Sequence, residues 1–276
     1  MKRDGGDPVA AAMAVARERW AEHTRTVSAP LTRWMLERLD LHPGQTVLDI
    51  AAGVGEPGFE AAPLVAPGGL LISTDISPEA IRVARRRARA QGITNVRFRE
   101  MDAQRMDLPS GSVDRAVCRW GYMLVPEPRR ALAETRRVVR AGGRLVFSVW
   151  GSGDRNPWAG RVRRALEIIG RVEPLVPSAP GGMFSLADEQ TLRAVVEGAG
   201  WSVLEVARVE LTWRYRDFDE YWAYAWDTAG VLGPILAAMS DTEVAEVRRI
   251  VQEGSAEFRE GQALVYPALA LGVVAA

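Results

Sequence analysis

The stretch VLDIAAGVGEPG, Val47 to Gly58, decides how the rest of the chain is read. An apolar run ends in Asp49. A turn then carries Gly53, Gly55 and Gly58, and Pro57 stands where a first helical turn would begin. Glycine lets a backbone turn sharply and lets a ligand come close, because no Cβ stands in the way. Proline at the first helical position loses nothing, since its missing N–H would be unpaired there. The stretch therefore reads as strand, cradle, helix. At the carboxyl end of a parallel strand, such a unit is where open α/β sheets bind their ligands.

Working outward, strands are expected at Thr46–Ile50, Leu70–Asp75, Val96–Glu100, Val113–Arg119 and Arg144–Trp150. Helices at Pro78–Gln91 and Pro128–Val139 alternate with them, which argues for a parallel sheet covered on both faces. Gly68-Gly69 and Gly142-Gly143 mark turns entering two strands. A later helix, about Ala187 to Ala199, is expected to open with a Ser185-x-x-Asp188 capping box and close at Gly200. Strands near Val203–Val209 and Ala263–Val274 follow. Three segments stand outside the alternation: a helical stretch from Pro8 to about Thr26, a stretch from Gly151 to Phe184 interrupted by Pro157, Pro174, Pro177 and Pro180, and a mostly helical one from Asp217 to Phe258. The expected division is an N-terminal helical cap segment over residues 1–40. A sheet domain over 41–276 follows, with cap insertions at about 151–184 and 217–258.

Composition narrows the function. The chain has 276 residues, enough to bury a core without disulfides. Its formal net charge is zero, which gives no electrostatic case for nucleic acid as a partner. The Arg85, Arg86, Arg87, Arg89 cluster accordingly reads as a solvated helix face, with Ile81, Ala84 and Ala88 inward. Cys118 is the single cysteine, so neither a disulfide framework nor a cysteine metal site is expected. No apolar run reaches the ~18 residues of a membrane span. Lys2 and Arg3 at the start are offset by Asp4 and Asp7, and the short alanine-rich run after them does not read as a signal peptide. A reduced, cytoplasmic setting is expected.

Two ligand classes compete for the loop. Gly53, Gly55 and Gly58 satisfy G-x-G-x-x-G, and Asp75 lies at the right distance to meet a ribose, as in dinucleotide sites. Glu56 in the turn speaks against a pyrophosphate, because like charges repel. S-adenosylmethionine carries a sulfonium and an ammonium and no phosphate, so acidic residues at 49 and 56 suit it.

Beyond the loop, several motifs follow in order: LLISTDIS with Asp75, REMDAQRMDLPSGSVD with Asp102 and Ala103, and CRWGYMLVPEPRRALAETRRVVRAGGRLVFSVW. Over Gln45 to Gly151, and more weakly over Phe184 to Trp201, the chain resembles the class I S-adenosylmethionine-dependent methyltransferases, especially small-molecule enzymes of the ubiquinone/menaquinone-biosynthesis type. The resemblance implies a doubly wound, mostly parallel seven-stranded Rossmann-like sheet with an added helical cap. It implies S-adenosylmethionine as donor and S-adenosylhomocysteine as product. Asp75 would accept from the ribose hydroxyls, and Asp102 and Ala103 would contact the adenine. Asp49, Ala51, Gly53 and Gly55 would meet the methionyl part, and Ile76 and Met101 would sandwich the base. Arg119, at the end of the fourth strand, joins this set. Ala51 departs from the pattern, since many members carry glycine there.

Methyl transfer from a sulfonium is an in-line displacement that needs alignment and a dry pocket more than any metal. Six of the fourteen Trp and Tyr residues lie between 213 and 226, which suggests an aromatic-lined cap and a hydrophobic or aromatic small-molecule acceptor. Trp20, Tyr122, Trp150, Trp158, Trp222 and Tyr224 are the candidate acceptor residues. His23 is the candidate general base, since its ordinary pKa lies near working pH, and His42 reads as a surface residue. O- or C-methylation is favoured over N-methylation. A non-methylating enzyme on the same fold, such as a cyclase, and a nicotinamide oxidoreductase are the alternatives.

Overall fold

The computed structural model describes residues 8–174, 179 and 181–276. Lys2, Arg3, Asp4, Asp7, Pro177 and Pro180 lie outside the described residues. Eight strands form one sheet: β1 (Thr46–Asp49), β2 (Leu70–Asp75), β3 (Val96–Glu100), β4 (Val113–Arg119), β5 (Val139–Trp150), β6 (Val203–Tyr215), the two-residue β7 (Arg259–Glu260) and β8 (Ala263–Ala275). Their order is β3-β2-β1-β4-β5-β8-β6, with β7 on β8. The first five pair in parallel, whereas β8 runs antiparallel between β5 and β6. The order reverses between β1 and β4, which is the topological switch point where such sheets bind ligands.

The helices are α1 (Pro8–Arg19), α2 (Ala21–Leu39), α3 (Gly58–Ala61), α4 (Pro78–Ala90), α5 (Pro128–Val138), α6 (Arg161–Ile168), α7 (Glu189–Glu197), α8 (Phe218–Asp227), α9 (Gly233–Ala237) and α10 (Asp241–Gly254). Strand β4 is buried at Val113 and from Arg115 to Cys118, and β5 from Leu145 to Trp150, so both of their faces are covered. Helix α4 lies against β2 and β3, with Ile81, Val83, Ala84 and Ala88 inward.

Helix α2 crosses β4, β5, β8 and β6. It runs straight past the expected end at Thr26 and through Pro30. Proline inside a helix removes one backbone bond and crowds the preceding turn. Val27, Leu31, Met35 and Leu39, four residues apart, are all buried and outweigh that loss. Trp34 on this helix closes over β8 at Gly272, where any side chain would collide with the indole.

Several boundaries differ from the sequence reading. Strand β6 continues to Tyr215, so Trp213 and Tyr215 are sheet residues and not part of the helical cap. Strand β5 starts at Val139 because the Gly142-Gly143 stretch bulges within it, between the Val113 and Arg115 pairings. Pro57 is the residue before α3, not its first turn. Asp188 alone caps α7 by accepting from Thr191 N–H, while the Ser185 hydroxyl donates to the Met123 carbonyl, so no capping box forms there. That helix ends with Gly198 at its C-cap, two residues before Gly200.

Candidate active site

The loop after β1 is fixed from both neighbouring strands. Ile50 N–H donates to Val117 O, and Ala52 N–H donates to Thr74 O. Ala51 takes φ 53, a left-handed conformation that costs an L-residue energy and is free for glycine. Gly58 lets α3 approach Asp49 so closely that a Cβ would collide with the carboxylate. Gly53, also left-handed, has open space where a Cβ would stand.

Asp49 is fully buried. Its Oδ2 accepts from Gly58 N–H at 2.8 Å, and its Oδ1 has no hydrogen-bond partner. Burial pushes its pKa up to about 7, against the pull of the Gly58 N–H and Arg119. Asp75 is also buried, with Oδ2 accepting from Gly53 N–H and Oδ1 from Ser77 N–H, both at 2.9 Å. Each carboxylate oxygen has two lone pairs, so the same carboxylate retains capacity for hydroxyl donors. Neither Asp49 nor Asp75 takes part in an ion pair among the described residues.

Glu56 behaves otherwise. It was expected as a bare acid repelling phosphate, yet Arg87 donates to it at 2.6 Å and Arg119 stands 3.7 Å away. Arg87 is therefore not on a solvated face; only 15% of its side chain is exposed. The acidity that a cationic ligand would meet comes from Asp49 and Asp75. Arg119 also donates to Ser28 Oγ at 2.6 Å and Thr32 Oγ1 at 2.9 Å, which ties α2 to the loop.

Next to Asp75 the ends of two strands come together. Met101 N–H donates to Asp75 O, which brings the end of β3 beside the end of β2. Ile76 there is 66% exposed, a large apolar side chain left uncovered. Met101 is buried and Ala103 partly so. Asp102 is held in a turn, with Oδ1 accepting from Gln104 N–H at 2.8 Å.

The aromatic residues form a second assembly. Trp120 stacks on Trp150 at 4.1 Å, Trp150 meets Trp158 at 5.2 Å, and Trp158 meets Trp213 at 4.6 Å. His23 stacks on Tyr215 at 4.8 Å and touches Trp213 at 5.5 Å; Tyr224 and Trp20 close the group. Burial lowers the pKa of His23, opposed by the Glu220 carboxylate. Of the candidate acceptor residues, Trp20, Trp150, Trp158 and Tyr224 come together here. Tyr122 does not: it is fully buried against Phe147, with its hydroxyl bonded to Thr135 Oγ1. Trp222 faces Phe218, Trp226 and Arg248 instead, because positions 222 and 224 leave a helix on different sides. His42 is a surface residue near Asp40.

Sequence reasoning did not select Trp120, Trp213 or Tyr215 as acceptor residues. It also passed over Asn156, fully buried, which bonds Gly151 O and both backbone groups of Leu269 and so pins the segment carrying Trp158 onto β5 and β8. Arg19 and Trp20 both donate to Asp227 Oδ2 at 2.8 Å, joining the α1–α2 corner to the end of α8. Helix α1 itself packs beside the glycine loop, where Ala14, Ala21, Val54 and Val83 form a small apolar cluster.

Comparison with known proteins agrees with this arrangement. Residues 41–165 match the family described as "Methyltransferase domain". The ubiquinone/menaquinone biosynthesis C-methyltransferase UbiE of Coxiella burnetii is 33% identical over 126 residues, 44% of this chain and 50% of that protein. The matched segments span between 32% and 50% of the curated relatives' lengths. Among solved structures, BH2331 of Bacillus halodurans C-125 superposes with a TM-score of 0.59 at 16% identity, covering 88% of this chain and 97% of that one. The cyclase SpnF superposes with a TM-score of 0.57 at 18% identity, covering 99% and 98%. Strand order and the superpositions show the Rossmann-like fold of these methyltransferases, and the match to a methyltransferase domain lies within residues 41–165.

The described residues contain no group of three or more His, Cys, Asp or Glu placed to hold a metal ion. None of their helices is long and apolar enough to cross a membrane.

Proposed function

We propose that this protein transfers the methyl group of S-adenosylmethionine to a small, uncharged hydrophobic or aromatic acceptor, by O- or C-methylation, in a cytoplasmic setting. The carrying observation is Asp49: fully buried, with one carboxylate oxygen unpartnered, beside a loop whose Gly53 has open space before it. An ammonium in front of that oxygen would satisfy it, and no phosphate would. Bound there, the donor supplies an electrophilic methyl group on sulfur.

The chain's own residues do the rest. Asp75 binds the ribose hydroxyls, Ile76 and Met101 flank the base, and Asp102 with Ala103 reads its edge. Arg119 holds α2 over the site through Ser28 and Thr32, which keeps water out. His23 takes the acceptor's proton at Nε2, which is buried and without a partner. Calorimetry with S-adenosylmethionine, S-adenosylhomocysteine and NADH tests the reading. Both adenosyl ligands should bind and NADH should not. Binding of NADH alone would return the loop to the dinucleotide class.

A further inference from the structure

Three neighbouring rings share an unusual feature. His23 Nε2, Trp213 Nε1 and Tyr215 Oη are all buried and none has a hydrogen-bond partner. The rings touch one another: His23–Tyr215 at 4.8 Å, His23–Trp213 at 5.5 Å, and Trp213–Tyr215 at 6.3 Å and nearly parallel. Trp213 and Tyr215 are two apart on β6, so they leave the sheet on one face. Buried polar atoms are nearly always bonded in folded proteins, and an unmade bond costs the full desolvation of the group. Phenylalanine at 215 would fill nearly the same space without that cost. Some polar tips of the assembly are satisfied, namely Trp20 Nε1 on Asp227, Trp158 Nε1 on Asn156 and Tyr221 Oη on the Trp158 carbonyl, whereas Trp120 Nε1 and Tyr266 Oη are buried without partners as well. His23, Trp213 and Tyr215 differ from these two in that their three rings meet one another pairwise, which gathers three unbonded atoms in one place.

Resting on the methyl-transfer reading, we infer that Trp213 and Tyr215 determine acceptor specificity: with His23 they recognise a neutral aromatic ring bearing a hydroxyl group. The indole N–H is a donor only, and the phenol is both donor and acceptor. Trp213 and Tyr215 bind the acceptor's oxygen functions, while His23 Nε2 receives the hydroxyl proton. In the transfer an O–CH3 bond forms as the S–CH3 bond breaks, the electron pair of the broken bond stays on sulfur, and the hydroxyl proton ends on His23. The rings around the trio are uncharged aromatics, and Glu220, the nearest carboxylate to act on His23, is bonded to Arg216. Nothing there compensates an anionic acceptor such as a diphosphate or a carboxylate. A site built to bond a hydroxyl also rejects the hydrocarbon that lacks it.

The test uses the full chain saturated with S-adenosylhomocysteine and three ring probes: 1-naphthol, naphthalene and 1-naphthoate. Binding is followed by tryptophan fluorescence. The expected result is 1-naphthol binding at least tenfold tighter than either other probe. Trp213→Phe and Tyr215→Phe should each erode that preference while naphthalene affinity stays within about twofold. Unchanged S-adenosylhomocysteine affinity in both variants shows them folded, and loss of that affinity in the unaltered protein would be a failure of the methyl-transfer reading instead. Equal affinity for naphthol and naphthalene, no binding of any probe, a preference for the naphthoate, or an undiminished preference in both variants overturns the inference.

Discussion

The proposed donor side takes its residues from strand ends of the parallel sheet and the turns after them, between Asp49 and Arg119. The acceptor side draws on residues from Trp20 to Tyr224, contributed by α2, the ends of β4 and β5, β6 and α8. The first is held by backbone hydrogen bonds, Gly53 and Ser77 to Asp75 and Gly58 to Asp49. The second is held by ring contacts. The difference is physical. Backbone donors at a strand end fix one ligand shape, whereas stacked rings adapt to many. An unvarying donor and a variable acceptor suit such a division of the molecule.

Breaking the acceptor side should give the largest effect on rate. His23→Ala should lower turnover of a hydroxyl acceptor by ~10²–10⁴-fold and leave S-adenosylhomocysteine affinity unchanged. Because burial lowers the His23 pKa below its ordinary value, the unaltered enzyme should lose activity on the acid side of pH 6.5 as the imidazole takes up a proton. That limb should vanish in the variant, as a steady-state pH profile would show. A retained limb would place the base elsewhere.

The donor side should respond through affinity. Asp75→Ala removes the acceptor of both ribose hydroxyls and of two loop N–H groups, and S-adenosylhomocysteine affinity should fall by ~10²-fold in calorimetry. If acceptor binding fell equally with the donor site saturated, the two sides would not be separable. Asp49 gives a milder handle. Its pKa of about 7 means that it must lose a proton to meet an ammonium, so donor affinity should weaken by up to tenfold per pH unit below 7. Asp49→Asn should flatten that slope.

The smallest effect sharpens the boundary of the acceptor side. Tyr224→Ala should weaken acceptor binding several-fold, while Trp222→Ala, which loses contacts only with Phe218, Trp226 and Arg248, should change it by less than about twofold. Equal effects would mean that the whole of α8 shapes the pocket.

How far each side could be read in advance follows from the same contrast. Strands β2, β3 and β4 lie at the expected residues: β2 is a buried, mostly apolar run, while the edge strand β3 alternates Val96 and Phe98 with Arg97 and Arg99. Asp49 and Asp75 end β1 and β2 and Gly53 lies in the loop after β1, as the sequence pattern expects, because a strand end is marked by the close of an apolar run. Trp213 and Tyr215 lie beyond the strand expected near Val203–Val209 because Glu205, Arg208 and Glu210 interrupt its apolar run; the alternation from Leu211 to Tyr215 is the signal that marks them as strand. The Glu56–Arg119 pairing was invisible because it joins residues sixty-three positions apart across β1 and β4. Tyr122 looked like a pocket residue from its place after β4, and only the packing of α5 against β5 reveals its burial.

Asp227 gives the molecule a clasp with a single pin. One oxygen of one carboxylate receives both Arg19 and Trp20, so the two bonds are made or lost together. The corner it secures belongs to the helix beside the glycine loop on one side and to the helix carrying His23 on the other. Loosening α8 over the aromatic rings would therefore cost the corner both bonds at once, while α1 stays fastened to α4 by the Glu18–Arg86 pair and by Ala14 against Val83.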